Sequence, residues 1–223
     1  VSVMPCVAKK YECAVKSLSE NGSPEVDVSL TTREVSRLIR TLGIDPLKLA
    51  EENFDSPLGT ATGAGVIFGA TGGVMEAALR TAYFFATKTL PHPDAFCKVM
   101  DKDGYKEATF NVGEKEIKVA VCHGLKNAEN LMENVKSGKS RYHFVEVMAC
   151  PGGCSGGGGQ PIHEGKELAF DRANVLCSLD KNATLRFSHE NPAVIKVYDE
   201  YLGAPLSEKA HHLLHTDQTE WER

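Results

Sequence analysis

Apolar residues along this chain recur in two periods, one helical and one extended. Val35, Leu38, Ile39 and Leu42 fall at i, i+3, i+4 and i+7, which is one face of a helix. Ahead of them Thr31-Thr32-Arg33-Glu34 forms a capping box, in which hydroxyl and carboxylate satisfy each other's orphan amides, and Gly43 stops the helix. Asp45-Pro46 is a second cap with proline at the first helical position, predicting a short helix as far as residue 52. The same periodicity predicts helices over 74–87, over 127–137 (closed by Gly138), over 168–179 and over 192–201, the last capped by Asn191 and ended by Gly203. Extended segments are expected at 1–3 and 26–30, in an antiparallel hairpin of 109–112 and 117–121 about Gly113, and at 144–148, an apolar run that reads as a buried strand. A strand, helix, strand succession from 117 to 148 predicts parallel neighbours joined by a crossover helix. The fold class is therefore α/β, with helices flanking β-sheets. Asn21-Gly22-Ser23-Pro24 and Pro91-His92-Pro93 are the clear breaks.

Composition narrows the function classes. A chain of 223 residues is long enough to bury a core. A net charge of -5, a pI near 5.9 and the lack of a dense basic run argue against nucleic acid as a partner. No apolar stretch approaches the roughly 20 residues needed to span a bilayer, and no signal-peptide pattern opens the chain, so no membrane segment is expected. Seven cysteines, an odd number in a chain too long to need stapling, favour reduced thiols or metal ligands over disulfides, and with them a cytoplasmic location. The chain opens Val1-Ser2-Val3-Met4-Pro5-Cys6, without an initiator Met and already strand-like, so further residues are expected before Val1 in the natural protein.

Two glycine-rich stretches interrupt the periodic pattern. The first, residues 56–73, leads into the helix over 74–87, whose N-terminus could face an anion. A phosphate loop is excluded in detail: no Lys-Ser or Lys-Thr follows the glycines, and Gly63-Ala64-Gly65 has no preceding strand. Phe68 among these glycines reads either as a wall pressed against a bulky group or as core packing. The second stretch runs from Cys150-Pro151-Gly152-Gly153-Cys154 through four glycines to Gln160-Pro161, directly after the strand at 144–148. Its glycines can adopt positive φ and bring backbone amides close to a bound anion, and its two thiols have metal-ligand spacing. The plainer reading is a linker with small buried cysteines; a linker does not normally hold Met, two Cys and Pro between structured segments. Cys6, Cys150 and Cys154 all lie at strand ends. Three thiolates are an incomplete set for a cubane, which normally takes four. Zinc and thiol-disulfide exchange both prefer a Cys-x-x-Cys pair that is absent here. Cys13, Cys97, Cys122 and Cys177 read as packed thiols. The His-rich run 209–215 reads as a metal site or, with more weight, as a docked terminal segment.

Met4-Pro5-Cys6-Val7-Ala8-Lys9-Lys10-Tyr11-Glu12 resembles the second, and EVMACPGGCSGGGGQP (146–161) the third, of the three signature motifs of the iron-only (di-iron, FeFe) hydrogenases. FGATGGVMEAALR (68–80) and the tail HHLLHT (211–216) are similar to that family too, so the likeness covers essentially the whole chain. The resemblance implies that residues 1–223 form the C-terminal portion of the catalytic domain, a two-lobed α/β arrangement truncated at its N-terminus. The domain holds the H-cluster, a 4Fe-4S cubane joined through one cysteine sulfur to a di-iron subcluster with CO, cyanide and dithiolate ligands. By position, the resemblance makes Cys6 and Cys150 cubane ligands and Cys154 the ligand that also bridges to the di-iron unit. It places Met4 and Met148 beside that unit, has Lys9 donate to a cyanide ligand, and lets Pro5 and Phe68 help form the pocket. The activity implied is reversible reduction of protons to hydrogen, with ferredoxin, another electron-donor subunit or a nicotinamide-linked chain as the electron source. A non-enzymatic relative in iron-sulfur cluster assembly and a hydrogen sensor stand as alternatives.

The family's first motif, adjacent cysteines followed by proline, is not found in these residues. It supplies the remaining cubane ligand and a proton-passing thiol, so the expectation is that it precedes Val1, that the missing N-terminal part of the domain is a partner, and that this polypeptide alone is inactive.

Overall fold

A computed structural model of the chain describes residues 1–20, 22–97 and 104–215. Asn21 of the expected break and Thr216 of the HHLLHT tail lie outside the described residues. The chain divides into two compact units, one built from 1–59, 158–165 and the segment from Pro192 onward, the other from 60–157 and 166–191.

The first unit opens with β1 (Ser2–Met4) and α1 (Ala8–Glu12), followed by the minimal antiparallel pair β2 (Ser19–Glu20) and β3 (Ser23–Pro24) around the expected break. β4 (Ser29–Thr31) lies parallel to β1, with Met4 opposite Thr31, and leads into α2 (Thr32–Thr41). The capping box is formed as expected: Thr31 Oγ1 accepts from the Glu34 amide at 3.1 Å, and the Glu34 carboxylate accepts from the Thr31 amide at 2.8 Å. Lys10 reaches the same carboxylate at 2.9 Å; its hydrogen bond, with those from Thr31, lowers the Glu34 carboxyl to about 2. The short helix expected to residue 52 does not form. Only a 3-10 turn over Pro46–Lys48 exists, and Leu49 is already extended, with ψ at 143°. Leu47 is 96% exposed, so this turn has no apolar contact of the kind that sustains a short helix.

In the second unit α3 (Gly63–Val66) precedes α4 (Gly73–Thr87), then β5 (Tyr105–Val112) and β6 (Lys115–His123) form the predicted hairpin, longer than the sequence pattern suggested. α5 (Leu125–Lys136) crosses over to β7 (Phe144–Met148), which pairs parallel to β6, so the sheet order is β5-β6-β7. Alternation along β6 splits the core into two faces. Val119 and Val121 pack with Met75 and Leu79 of α4, while Ala120 and Cys122 pack with Leu131 of α5. α6 (Ala169–Asn182) completes this unit. The chain then returns to the first unit with α7 (Pro192–Val197), which continues as a π-turn to Leu202, and α8 (Glu208–Leu214), whose Ser207 cap accepts from the Ala210 amide at 3.1 Å.

α4 also carries a buried charge network. Arg80, wholly buried, is gripped by Asp180 of α6 at 2.9 Å and by Glu76 one turn back at 2.5 Å, while Arg186 joins Asp180 to Asp94. Burial works against the Asp180 carboxylate, but hydrogen bonds from Arg80 and Arg186 outweigh it and hold its pKa below the ordinary range. Burial dominates at Glu76 and raises its pKa despite Arg80. Breaking such a set by removing one partner leaves an uncompensated buried charge, at a cost of about 3–5 kcal/mol. Arg80→Met is expected to destabilise the chain toward the lower end of that range, because Arg186 still pairs Asp180 and Glu76 can take up a proton. Urea unfolding of the two proteins side by side measures it; a loss of stability below about 0.5 kcal/mol, the level of an ordinary surface substitution, would refute this account.

Candidate functional site

In the second unit the site is built on the turn that follows β7. Cys150 and Cys154 are in no disulfide, each is half-buried, and Pro151-Gly152-Gly153 separates them. Gly152 and Gly153 both lie in the left-handed region, at φ +77° and +82°, which explains why this turn can be so tight where other side chains would be strained. The Gly153 amide donates to Cys150 O at 3.0 Å and the Gly157 amide to Cys154 O at 3.0 Å, so each cysteine opens a closed turn. The turn is pressed onto the first glycine-rich stretch: Thr71 N donates to Gly152 O at 3.3 Å, and a Cβ on Gly153 would stand 2.8 Å from Thr71 N. Ser155 Oγ donates back to Gly152 O at 2.8 Å and Arg172 of α6 donates to Ser155 O at 3.2 Å, which fixes the far side.

What joins β7 to α4 is Glu146, a residue that sequence reasoning passed over as part of an apolar run. Its carboxylate accepts from the amides of Gly72 at 2.6 Å and Met75 at 2.7 Å, in the first turn of α4. The expected anion at this helix N-terminus is thus a side chain of the chain itself. Glu146 is 6% exposed, and burial raises its carboxyl pKa above the ordinary range even though the two amides favour the charged form. The signal in the sequence was a lone acid inside the strand, in step with Val121 of β6 and so on the face that α4 covers.

In the first unit Cys6 follows β1 at the half-buried start of the turn into α1. The end of the glycine run clasps it: Gly159 N donates to Pro5 O at 3.0 Å, and a Cβ on Gly159 would stand 2.9 Å from Cys6 N. Arg33 of α2 holds this segment, its guanidinium donating to Gly158 O at 2.8 Å and Gln160 O at 2.9 Å. Met4 and Lys9 line a cavity of about 210 Å³ together with Glu12, Cys13, Leu18 and Val26. Lys9 Nζ lies 2.6 Å from the Glu12 carboxylate, and Cys13 Sγ donates to Lys9 O at 3.1 Å.

The residues singled out from sequence therefore fall in two groups. Met4, Pro5, Cys6 and Lys9 stand together in the first unit; Phe68, Met148, Cys150 and Cys154 belong to the second. Met148 is half-buried opposite His123, and Phe68 is 46% exposed. Of the four thiols expected to be packed, Cys122 is wholly buried and Cys13 and Cys177 are half-buried, whereas Cys97 is exposed, a correction: it follows the turn over 93–96 and its side chain is open to solvent. Among the described residues no three His, Cys, Asp or Glu side chains gather closely enough to hold a single metal ion, and no helix is long and apolar enough to cross a membrane.

Mixed helices and sheets with cysteines placed after strands are the framework that the comparisons with known proteins place in a class. The chain belongs to the iron-only hydrogenase family: residues 1–158 match the iron only hydrogenase large subunit, C-terminal domain, and residues 166–220 match the iron hydrogenase small subunit. It is 54% identical over 97% of its length to the NADP-reducing hydrogenase subunit HndD of Solidesulfovibrio fructosivorans, and 33% identical over 97% to cytosolic iron-sulfur assembly component 3 of Rattus norvegicus. The FeFe-hydrogenase HydA1 of Chlamydomonas reinhardtii superposes with a TM-score of 0.78 at 37% identity, covering 96% of this chain. The chain spans 37% and 46% of the two curated relatives and 61% of the algal chain.

Two expectations follow from this geometry. Gly153→Ala forces a Cβ against the Thr71 backbone in an unfavourable φ region, so the variant is expected to lose more than about 1 kcal/mol in thermal or urea unfolding; unchanged stability would show that the turn is looser than described. Because the Glu146 pKa is raised above its unfolded value of 4.5, the folded chain holds this proton more tightly, and the contribution to stability falls as pH rises through that value toward the raised one. The stability of the native chain relative to Glu146→Gln should accordingly decline as pH rises from about 4.5 toward the raised value. Unfolding midpoints across that range check it, and a difference that grows with pH would reverse the sign assigned to Glu146.

Proposed function

We propose that this chain is the C-terminal portion of an iron-only hydrogenase catalytic domain, acting within a longer protein in the reversible reduction of protons to molecular hydrogen. Electrons come from ferredoxin or a nicotinamide-linked chain, and the thiols favour the cytoplasm. The observation that carries this reading is the completeness of both cysteine motifs in a chain 54% identical to a protein named as a hydrogenase subunit.

The residues present suit the inorganic group that such a function requires. The donors are soft thiolates, which select iron-sulfur clusters. Apart from Pro151, the turn between Cys150 and Cys154 carries no side chain, and the Thr71 hydroxyl beside it is buried without a protein partner. Cys6, Cys150 and Cys154 would be cubane thiolates, with Cys154 shared with the di-iron subcluster; the fourth ligand would come from an adjacent-cysteine motif that these residues lack. When bound, the group supplies the two-electron chemistry that interconverts protons and hydrogen. The chain's own side chains shape and dry its surroundings. Met4 and Met148 offer polarizable apolar surface, Pro5 and Phe68 exclude water, and the Lys9 ammonium, now resting on Glu12, would donate a charge-assisted hydrogen bond to a cyanide ligand.

The similarity to an iron-sulfur assembly component favours a second reading, a non-enzymatic relative; a third is a hydrogen sensor, in which the cluster survives while the proton path is degraded. Met4, Lys9, Met148 and the unbroken glycine run favour the enzyme. In the protein that carries this chain, matured with its cluster, Cys154→Ala is expected to bring hydrogen evolution from a reduced viologen to background, while Cys177→Ala stays near wild type. Undiminished hydrogen output from Cys154→Ala would end the assignment, and a wild-type protein that holds a cubane but evolves no hydrogen would favour the assembly or sensor reading.

A further inference from the structure

A buried hydroxyl costs stability unless it finds a hydrogen-bond partner, so an orphan in a native fold points to something that completes it. Thr71 is 4% exposed, and its Oγ1 is sheltered from solvent with no partner among the protein atoms. Threonine at the start of a helix usually bonds a nearby backbone group, which Thr71 does not do here. Arg80 Nε, His123 Nε2 and His189 Nε2 in the same unit are also buried without partners. What sets Thr71 apart is its seat: its own amide donates to Gly152 O, between Cys150 and Cys154, and Gly153 has no room for a Cβ because Thr71 N lies there. The backbone of Thr71 is thus part of the wall of the cysteine turn.

We propose that Thr71 is a positioning residue for the iron-sulfur group, its hydroxyl donating a hydrogen bond to a sulfur of the cubane held by Cys150 and Cys154. The inference rests on the hydrogenase reading given above. A donor on a cluster sulfur stabilises the reduced, more negative state and so raises the reduction potential. Without a cluster, the same hydroxyl is an unsatisfied burden on the fold.

These two consequences separate a cluster donor from a residue that only packs. In the matured protein carrying this chain, the cubane midpoint is read by an EPR-monitored redox titration of wild type, Thr71→Val and Thr71→Ser. Thr71→Val is expected to weaken reduction about tenfold, a fall of about 59 mV for a one-electron couple, and Thr71→Ser to stay near wild type. In the cluster-free protein Thr71→Val should melt at or above the wild-type temperature, since it removes an unpaired buried hydroxyl of nearly the same shape. A loaded Thr71→Val protein with an unshifted midpoint would overturn the inference, as would a shift that Thr71→Ser fails to reverse, or a lowered melting temperature of the cluster-free variant. A wild-type protein with no cubane signal at all would remove the hydrogenase reading itself, and this inference with it.

Discussion

Glu146 makes two hydrogen bonds on which the second unit's arrangement depends. By accepting from the amides of Gly72 and Met75 it ties the strand that delivers the cysteine turn to the helix that supports it. Hydrogen bonds to a charged acceptor are worth about 1.5–3 kcal/mol each, and a carboxylate at a helix N-terminus gains up to about 2 kcal/mol more. Burial still prevails in setting its proton affinity, as the raised pKa shows. The carboxyl is held where its charge is costly, and there each of its oxygens accepts from one amide at the start of α4.

α4 therefore serves three constraints at once. Its N-terminus is fastened by Glu146, its apolar side, with Met75 and Leu79, covers Val119 and Val121, and Arg80 binds it to α6 through Asp180. The stretch just before it, Gly69 to Thr71, carries the turn between Cys150 and Cys154. A helix anchored on three sides gives the turn that carries Cys150 and Cys154 a fixed base. The first unit uses a different device for Cys6. There the backbone of Gly158 to Gln160 is laid against Pro5 and Cys6 and locked by Arg33. One glycine run thus serves both units, through Gly157 in the second and from Gly158 in the first.

Much of this framework was legible in the residues. The capping box at Thr31, the hairpin about Gly113, the crossover into a parallel β7 and the helix over 74–87 all follow from local chemistry: cap hydroxyls, alternation and 3.6-residue periodicity act within a few residues of one another. The helix expected after Asp45-Pro46 failed because a cap alone does not sustain so short a segment when Leu47 and Leu49 find nothing to pack against. Cys97 lies in a segment whose pattern looks regular and so predicts a packed thiol, yet burial depends on what lies across the fold, and Cys97 is exposed.

By itself the sequence determined which elements form and which residue types stand at the cysteine turns, because propensity, capping and glycine's access to positive φ are local, and because two signature motifs lie intact along the chain. Only the tertiary structure decided that Glu146 closes the N-terminus of α4, that Arg80 meets Asp180 across 100 positions, and that the Thr71 hydroxyl is buried unpaired beside Gly152. Those are contacts between segments far apart in the chain, and their energies depend on desolvation and geometry that no window of neighbouring residues contains.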